Sequence, residues 1–423
     1  MPRQITVAML QLEAHDRNAF TQRWPQICTR IREAASKGAQ LIVLPEGTVP
    51  AYVIGREPVD GELLQAALDD VQSLARSTST VIVYGSVRRT AQEQYNSAYV
   101  VDSNGSLAGS ADKCFLWHFD RTWFASGKLE APITTSLGRL GVLICADGRI
   151  PTIGRALVDH GAEMLVMPTA WVTSGRDPNR LENAQADLLA PVRARENAVP
   201  FVAANKVGVE RECVAYCGKS QIIAADGAVV ALASQTREET VIETVTLGSG
   251  YARRVTLPAP QPAATREGEL RLAITPYEVD IDEVKRVIGV DEVIADDARS
   301  DSALLEKAAA ATVNDDVVND PGGLVPYRLA GYQLLIWRSE LEDLAWMRTL
   351  ARARALELRL FVVVICNEKI ALAADPDGVV VCGTFGSLRV ASFLFSPQRT
   401  KQTAVAPATD ILEGLERASL ATV

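Results

Sequence analysis

Three residues that could carry covalent chemistry each stand beside a break in an apolar run. Cys145 closes the run Leu140-Gly141-Val142-Leu143-Ile144 and is followed by Ala146-Asp147-Gly148-Arg149-Ile150-Pro151. A thiol at a strand end, before a tight turn and a helix, can be presented beside free backbone N–H groups. Those groups can hold the oxyanion that forms when a carbonyl is attacked. Taken alone, a Cys at this place also reads as a small core hydrophobe. Glu46 follows Leu44-Pro45 and precedes Gly47. A carboxylate there lies at the C-terminal edge of a sheet, where α/β sites gather; taken alone it is also a turn acid at the surface. Lys113 opens Lys113-Cys114-Phe115-Leu116-Trp117-His118-Phe119-Asp120, an aromatic stretch in a chain that is only 6% aromatic. A Lys flanked by apolar bulk is either buried and paired or snorkelling to the surface.

Other chemistries have few candidates. The three His, at 15, 118 and 160, form no H-x-x-x-H pattern, so a His-rich metal centre is not expected. The seven Cys are widely spaced and form no C-x-x-C, which argues against a zinc site or a disulfide framework. There is no G-x-S-x-G, no G-x-x-x-x-G-K-[ST] and no G-x-G-x-x-G, the signatures of serine hydrolases, phosphate loops and dinucleotide folds. The catalytic groups, if present, are carboxylates, Lys or Cys. No metal and no cofactor is expected. Lys plus Arg total 43 against 52 Asp plus Glu, a formal charge of −9, and an acidic chain has no electrostatic reason to gather phosphate backbones. Nucleic acid is therefore not an expected partner. No apolar run approaches the ~18 residues that cross a bilayer, and Ile5-Thr6-Val7-Ala8-Met9-Leu10 reads as a strand rather than a leader. A cytoplasmic protein with no membrane partner is the expectation.

The elements that must position these residues alternate. Strands are expected at Ile5–Leu10, Leu41–Leu44, Val81–Gly85, Asn96–Val101, Leu140–Cys145, Met164–Met167, Pro200–Asn205, Gln221–Ala224 and Val229–Ala233. Helices are expected at Phe20–Ala35, Gly61–Arg76, Thr152–His160 and Leu181–Asn197. That is an α/β domain with buried strands. The 423 residues suggest two or three domains at roughly 100–200 residues each. The stretch Leu257-Pro258-Ala259-Pro260-Gln261-Pro262-Ala263-Ala264 reads as an extended linker. The chain divides accordingly into a catalytic domain over 1–255, a linker over 256–268 and a second domain over 269–423. The second echoes the first: Gly331–Ile336 resembles Gly38–Val43, Arg352-Ala353-Arg354 resembles Arg193-Ala194-Arg195, and Leu372–Val380 resembles Ile223–Val229. We read it as a reduced repeat. The zone matching Cys145 falls near Val317-Val318-Asn319-Asp320, with no Cys between 217 and 366, so the repeat is expected to be non-catalytic.

Leu44-Pro45-Glu46, Lys113 with Phe124-x-x-Gly127, Gly141-x-x-x-Cys145-x-Asp147, Pro168-Thr169-Ala170-Trp171, Arg193–Asn197, Asn205-x-x-Gly208 and Gly218-Lys219-Ser220 together resemble the nitrilase superfamily of carbon–nitrogen hydrolases over about residues 3–250. The resemblance implies a four-layer αββα sandwich, here with a second, reduced nitrilase-like domain. It also implies a triad of Glu46 as general base, Cys145 as nucleophile and Lys113 as oxyanion partner with the backbone N–H of Ala146. Lys113 is expected to lower the pKa of Cys145. Relatives often carry a second Glu before F-x-x-G. Asp120 stands there, about 1.5 Å shorter in reach, with His118 as a possible substitute.

Nitrile-cleaving relatives commonly have Trp-Glu after the nucleophile. Ala146-Asp147 looks more like the amidase and carbamoylase branches, so a small-molecule amide or N-carbamoyl substrate is expected. Nitrile hydrolysis and an inactive scaffold are the alternatives. Tyr52, Trp117, His118 and Trp171 are candidate substrate-binding residues, and the loops around Trp117 and 173–180 are expected to shape the pocket. Arg149 and Arg155 could recognise a substrate carboxylate, but as helix-proximal Arg residues they are expected to make structural ion pairs with Asp147 or Glu163. Because relatives usually pair through one face of the sandwich, the repeat implies a pseudo-dimer within the chain, or a homo-oligomer.

Overall fold

The structure is a computed structural model that describes residues 3–173, 181–248, 254–256, 258–297, 304 and 307–421. The chain divides into two compact units, residues 1–251 with 418–423, and residues 252–417. No helix among the described residues is long and apolar enough to cross a membrane.

In the first unit, one sheet is built on the strand Gln4–Glu13, which pairs in parallel with Leu41–Val43 and Lys206–Val207 and antiparallel with Glu239–Thr246. It continues through Val81–Arg89, Gln94–Val101 and Leu107–Asp112. The second sheet runs in the order Val229–Leu232, Gln221–Ile223, Phe201–Ala204, Met164–Pro168, Gly138–Val142, Ile133–Thr135. Alternation explains the layering, because successive side chains of a strand leave on opposite faces. Ala8, Leu10, Leu12, Ile42 and Ile82 pack with Trp24, Ile27, Ile31, Val71 and Leu74 of the helices Phe20–Ser36 and Gly61–Thr78. The alternate residues Val7, Met9, Leu41, Val43, Val81 and Val83 are fully buried too, on the face toward the second sheet, which the first contacts through Met164–Pro168 and Phe201–Ala204. Strands covered on both faces read as unbroken apolar runs. The helices Pro151–Asp159 and Ala190–Asn197 cover the outer face of the second sheet. The four layers are therefore αββα.

The second unit repeats this pairing in shorter form. Leu270–Ile274 pairs in parallel with Glu292–Ile294 and antiparallel with Ala391–Phe395, as the first strand pairs with Leu41–Val43 and Glu239–Thr246. Ala310–Asn314, Leu334–Ser339, Phe361–Cys366, Ile370–Ala374 and Val380–Gly383 form a sheet with the same parallel, parallel, antiparallel, antiparallel sequence of pairings as Gly138–Val142 through Val229–Leu232. Among the described residues, nothing in its first sheet corresponds to Val81–Arg89, Gln94–Val101 and Leu107–Asp112.

Three expectations shift. The strand before Cys145 ends at Val142, not at Cys145 itself. The helix expected from Leu181 is a wide π turn over Gln185–Leu189 followed by Ala190–Asn197. The repeat's Arg alignment moves by two residues. The helix Leu344–Leu358 ends at the left-handed Arg359 as Ala190–Asn197 ends at the left-handed Ala198. Arg354, not Arg352, then matches Arg193, and each forms a buried i,i+3 pair at 2.6 Å, Arg354 with Glu357 and Arg193 with Glu196.

Candidate active site

Glu46 is placed by its backbone. After the strand Leu41–Val43, Leu44 N–H donates to Val83 O, and Glu46 N–H donates to Thr169 O on the opposite sheet. The turn passes directly over Gly85, where a Cβ would stand 2.5 Å from both Glu46 Cα and Pro45 O. Both obstacles are backbone and cannot rotate away. Gly85→Ala is therefore expected to push Glu46 off its position and lower kcat by about 10²-fold, the scale of a 1 Å misplacement. Gly268→Ala, with nothing within 4 Å of the added Cβ, is the control expected to leave kcat unchanged; steady-state kinetics on both variants is the check.

Lys113 follows the strand Leu107–Asp112. Its N–H donates to Asn96 O and its own carbonyl accepts from Gly127 N–H. Its ammonium donates to Glu46 Oε1 at 2.8 Å and to Asp120 Oδ2 at 2.5 Å. Asn96 Nδ2 donates to the same Glu46 oxygen at 2.7 Å, and Trp117 N–H donates to Asp120 Oδ2 at 3.1 Å. All three charged side chains have no exposure to solvent. Glu46 Oε2 and Asp120 Oδ1 are buried with no hydrogen-bond partner among the described residues. An ammonium has three N–H donors; two are taken, and the third has no acceptor among the described residues. The shorter Asp120 thus reaches Lys113 directly, because the one-turn helix Asp120–Trp123 brings it there. His118, left-handed at φ 47, instead packs edge-on to Phe119.

Cys145 opens the 3₁₀ turn Cys145–Arg149 in a left-handed conformation, φ 46, uncommon for a residue with a Cβ. Asp147 ties this turn to the lysine segment. Its Oδ2 accepts from Ile144 N–H at 3.0 Å, and its Oδ1 accepts from Phe115 N–H at 2.7 Å and Cys114 N–H at 3.1 Å. Arg193 holds the far end of the turn, donating from Nε to Gly148 O at 3.0 Å and from Nη2 to Arg149 O at 3.2 Å. The first N–H groups of a helical turn have no acceptor within it, which leaves the Ala146 N–H beside the thiol available.

Burial raises the Cys145 thiol, the charge of Glu46 adds to this, and Lys113 opposes it, so the thiol is pushed up to about 12. Lys113 pulls the thiol down as expected, but in a dry site the desolvation of a thiolate outweighs one cation that two carboxylates already share. Burial, and then the Asp120 charge, likewise raise Glu46 against the pull of Lys113. For Lys113, burial acts downward, but Asp120 and Glu46 outweigh it and hold the ammonium well above its ordinary range.

Tyr52 is buried with its ring centroid 5.8 Å from Lys113 Nζ and 5.5 Å from that of Phe119. Trp117 is half-buried under the Arg149 guanidinium at 4.7 Å. Trp171 is buried, its backbone N–H donating to Asn205 Oδ1 at 2.7 Å, and its indole N–H has no partner among the described residues. Glu163 pairs with Arg3 and Arg155 with Asp159, not with each other. Residues 174–180, expected to shape the pocket, lie outside the described residues. Sequence reasoning missed Asn96, which holds both Glu46 and Lys113. Its signal was a polar residue in the inward phase of a strand, with Ala98 and Val100 at the next inward positions.

In the second unit, Arg354 Nε donates to Val318 O at 2.9 Å as Arg193 does to Gly148 O. Counting back three residues puts Asp315 at the position of Cys145, slightly before the expected zone. Asp315 accepts from Trp337 Nε1, Ser339 Oγ and Glu340 N–H.

The family model for carbon-nitrogen hydrolases matches residues 6–255. The chain belongs to the carbon–nitrogen hydrolase family. This carbon–nitrogen hydrolase is 30% identical over 221 residues to a probable nitrilase of Schizosaccharomyces pombe, a match covering 50% of this chain and 78% of that protein. It is 28% identical over 232 residues to an N-carbamoylputrescine amidase of Oryza sativa subsp. japonica, covering 50% and 76%. The crystal structure of a carbon-nitrogen hydrolase from Helicobacter pylori G27 superimposes with a TM-score of 0.52 at 26% identity, covering 57% of this chain and 89% of that one. Its activity class is hydrolysis of C–N bonds.

Proposed function

We propose that this carbon–nitrogen hydrolase cleaves a small linear amide or an N-carbamoyl compound through a thioester on Cys145, releasing ammonia or an amine. The observation that carries the reading is one buried ammonium, Lys113, shared by two carboxylates that each keep a free oxygen. A thiol held near 12 rests protonated and needs a base. Glu46 Oε2 takes the thiol proton as the sulfur attacks the carbonyl carbon. The raised Glu46 pKa narrows the gap that this transfer must cross. The oxyanion is held by the third N–H of Lys113 and by Ala146 N–H. Glu46 then gives its proton to the leaving nitrogen, and the C–N bond breaks to leave the thioester. Glu46 next deprotonates a water that attacks the thioester, and the sulfur departs with the proton. Asp120 fixes Lys113 through Oδ2, while Oδ1 is the acceptor for a substrate or water proton.

An amide is favoured over a nitrile by Ala146-Asp147 after the nucleophile. Ammonia and amine release from a panel of linear amides, N-carbamoyl compounds and nitriles tests this. The amides or carbamoyl compounds are expected to show kcat/KM at least about tenfold above any nitrile, the step that 1.4 kcal/mol of transition-state preference gives. A nitrile as the best substrate would reverse the assignment.

A further inference from the structure

We propose that the buried pair Lys206–Glu210 positions the Glu46–Tyr52 loop, and through it the base, while touching neither substrate nor thiol. The inference rests on the reading of Glu46 as the base. The pair stands outside the reactive cluster, yet it grips both ends of the loop that starts at Glu46. Lys206 Nζ donates to the carbonyl of Gly47, the next residue, at 3.0 Å. Glu210 Oε1 accepts from Val53 N–H, the residue after Tyr52, at 2.5 Å. Glu210 Oε2 accepts from Lys206 Nζ at 3.2 Å and from Tyr216 Oη at 2.8 Å. Both charged groups are buried, with exposures of 1% and 0%.

Between those grips the loop folds back on itself. Gly47 is left-handed at φ +56, and a Cβ on it would lie 2.5 Å from Tyr52 Cα. The Tyr52 ring lies near two ammonium groups, with Lys113 Nζ at 5.8 Å and Lys206 Nζ at 6.0 Å from its centroid. His15 Nε2, 2.9 Å from Pro50 O, holds the middle of the loop.

A buried ion pair is weak evidence for stability, since well-packed apolar replacements are often neutral or stabilising. What an apolar pair cannot do is hold two directional hydrogen bonds to loop backbone. The Lys206 charge is cancelled locally by Glu210, so its influence on the centre is geometric. Release of Gly47 lets the adjacent Glu46 drift from the thiol, and a drift of about 1 Å costs on the order of 10²-fold in rate.

The test is the charge-neutral double variant Lys206→Met/Glu210→Gln in the full chain, beside Lys206→Arg, which keeps a donor for Gly47 O. The best amide or N-carbamoyl substrate of the panel is the probe. The double variant is expected to unfold within a few degrees of the parent but to lose about 10²-fold in kcat, with KM within about threefold. Lys206→Arg is expected to recover at least a tenth of the parent kcat. A folded double variant with kcat within threefold of the parent overturns the inference. If the double variant does not fold, Tyr216→Phe, which loosens Glu210 by one hydroxyl, decides: kcat lowered at constant KM supports positioning, and unchanged kcat overturns it. Cys145→Ala and Glu46→Gln are run alongside. Full activity in either of those sinks the catalytic reading itself, a result distinct from unaltered pair variants beside dead Cys145→Ala and Glu46→Gln.

Discussion

Cys145→Ala is expected to abolish turnover, with a loss of at least about 10⁴-fold in kcat, and to leave the fold intact. The magnitude follows from the role: without the sulfur no thioester forms, and nucleophile deletions of this kind remove most of the chemical rate. The fold should survive because the side chain is small and the turn is held by others. Asp147 ties it to the 114–115 backbone, and Arg193 holds its far end. Ala also keeps a Cβ in the same left-handed conformation, so the backbone strain is unchanged. Steady-state product release together with the thermal midpoint checks both halves. The wild-type thiol is not expected to be unusually reactive toward small alkylating agents at neutral pH, because it rests protonated, pushed up to about 12, and is 5% exposed.

Lys113→Met should cost both activity and stability, and the stability loss should depend on pH. The ammonium is fully buried between Glu46 and Asp120. Removing one partner of a buried ion pair costs roughly 3–5 kcal/mol, because the other charge stays in a dry site. Here two carboxylates would face each other without a cation. Glu46 already lies above its ordinary value through burial and the charge of Asp120, with Lys113 opposing; without Lys113 it rises further. A carboxyl whose folded pKa exceeds its unfolded value binds its proton more tightly when folded. That contribution to stability is fully present below the unfolded value, near 4.5, and is lost as pH rises through the folded value. The gap in thermal midpoint between parent and Lys113→Met should therefore be smaller at pH 5 than at pH 8. A gap that widens toward acid would contradict the charge assignment. Activity should fall to background at both pH values, since the oxyanion loses its cation.

The sequence singled out Glu46, Lys113 and Cys145 more fully than the residues around them, for physical reasons. Glu46 and Cys145 follow short apolar strands and Lys113 opens an aromatic stretch, local patterns that are legible in a linear sequence; the family resemblance joined the three. The α/β alternation was legible because strands buried on both faces leave unbroken apolar runs, as in Leu41–Val43 and Met164–Pro168; the four-layer arrangement was what the family resemblance implied. What the sequence hid was the direction of the thiol's shift. That depends on how dry the site is and on how many carboxylates share one ammonium, and neither is a property of spacing. Asn96 and the Lys206–Glu210 pair were hidden because their partners are far away in the chain: Glu46 lies 50 residues from Asn96, and Val53 lies 157 from Glu210. The residue standing for Cys145 in the second unit was also hidden. Asp315 emerged only once Arg354 was seen to bond Val318 O as Arg193 bonds Gly148 O. The Asp315 carboxylate is engaged by Trp337, Ser339 and Glu340.

The proposed turnover depends on a covalent bond to one sulfur. Rapid acid quench during turnover of the preferred substrate, followed by intact-mass and peptide mass spectrometry, tests it most directly. The expected result is a mass increase equal to the acyl group, located on the peptide containing Cys145, present in the wild type and missing in Cys145→Ala. Sustained turnover with no adduct on Cys145, and unimpaired activity in Cys145→Ala, would contradict it.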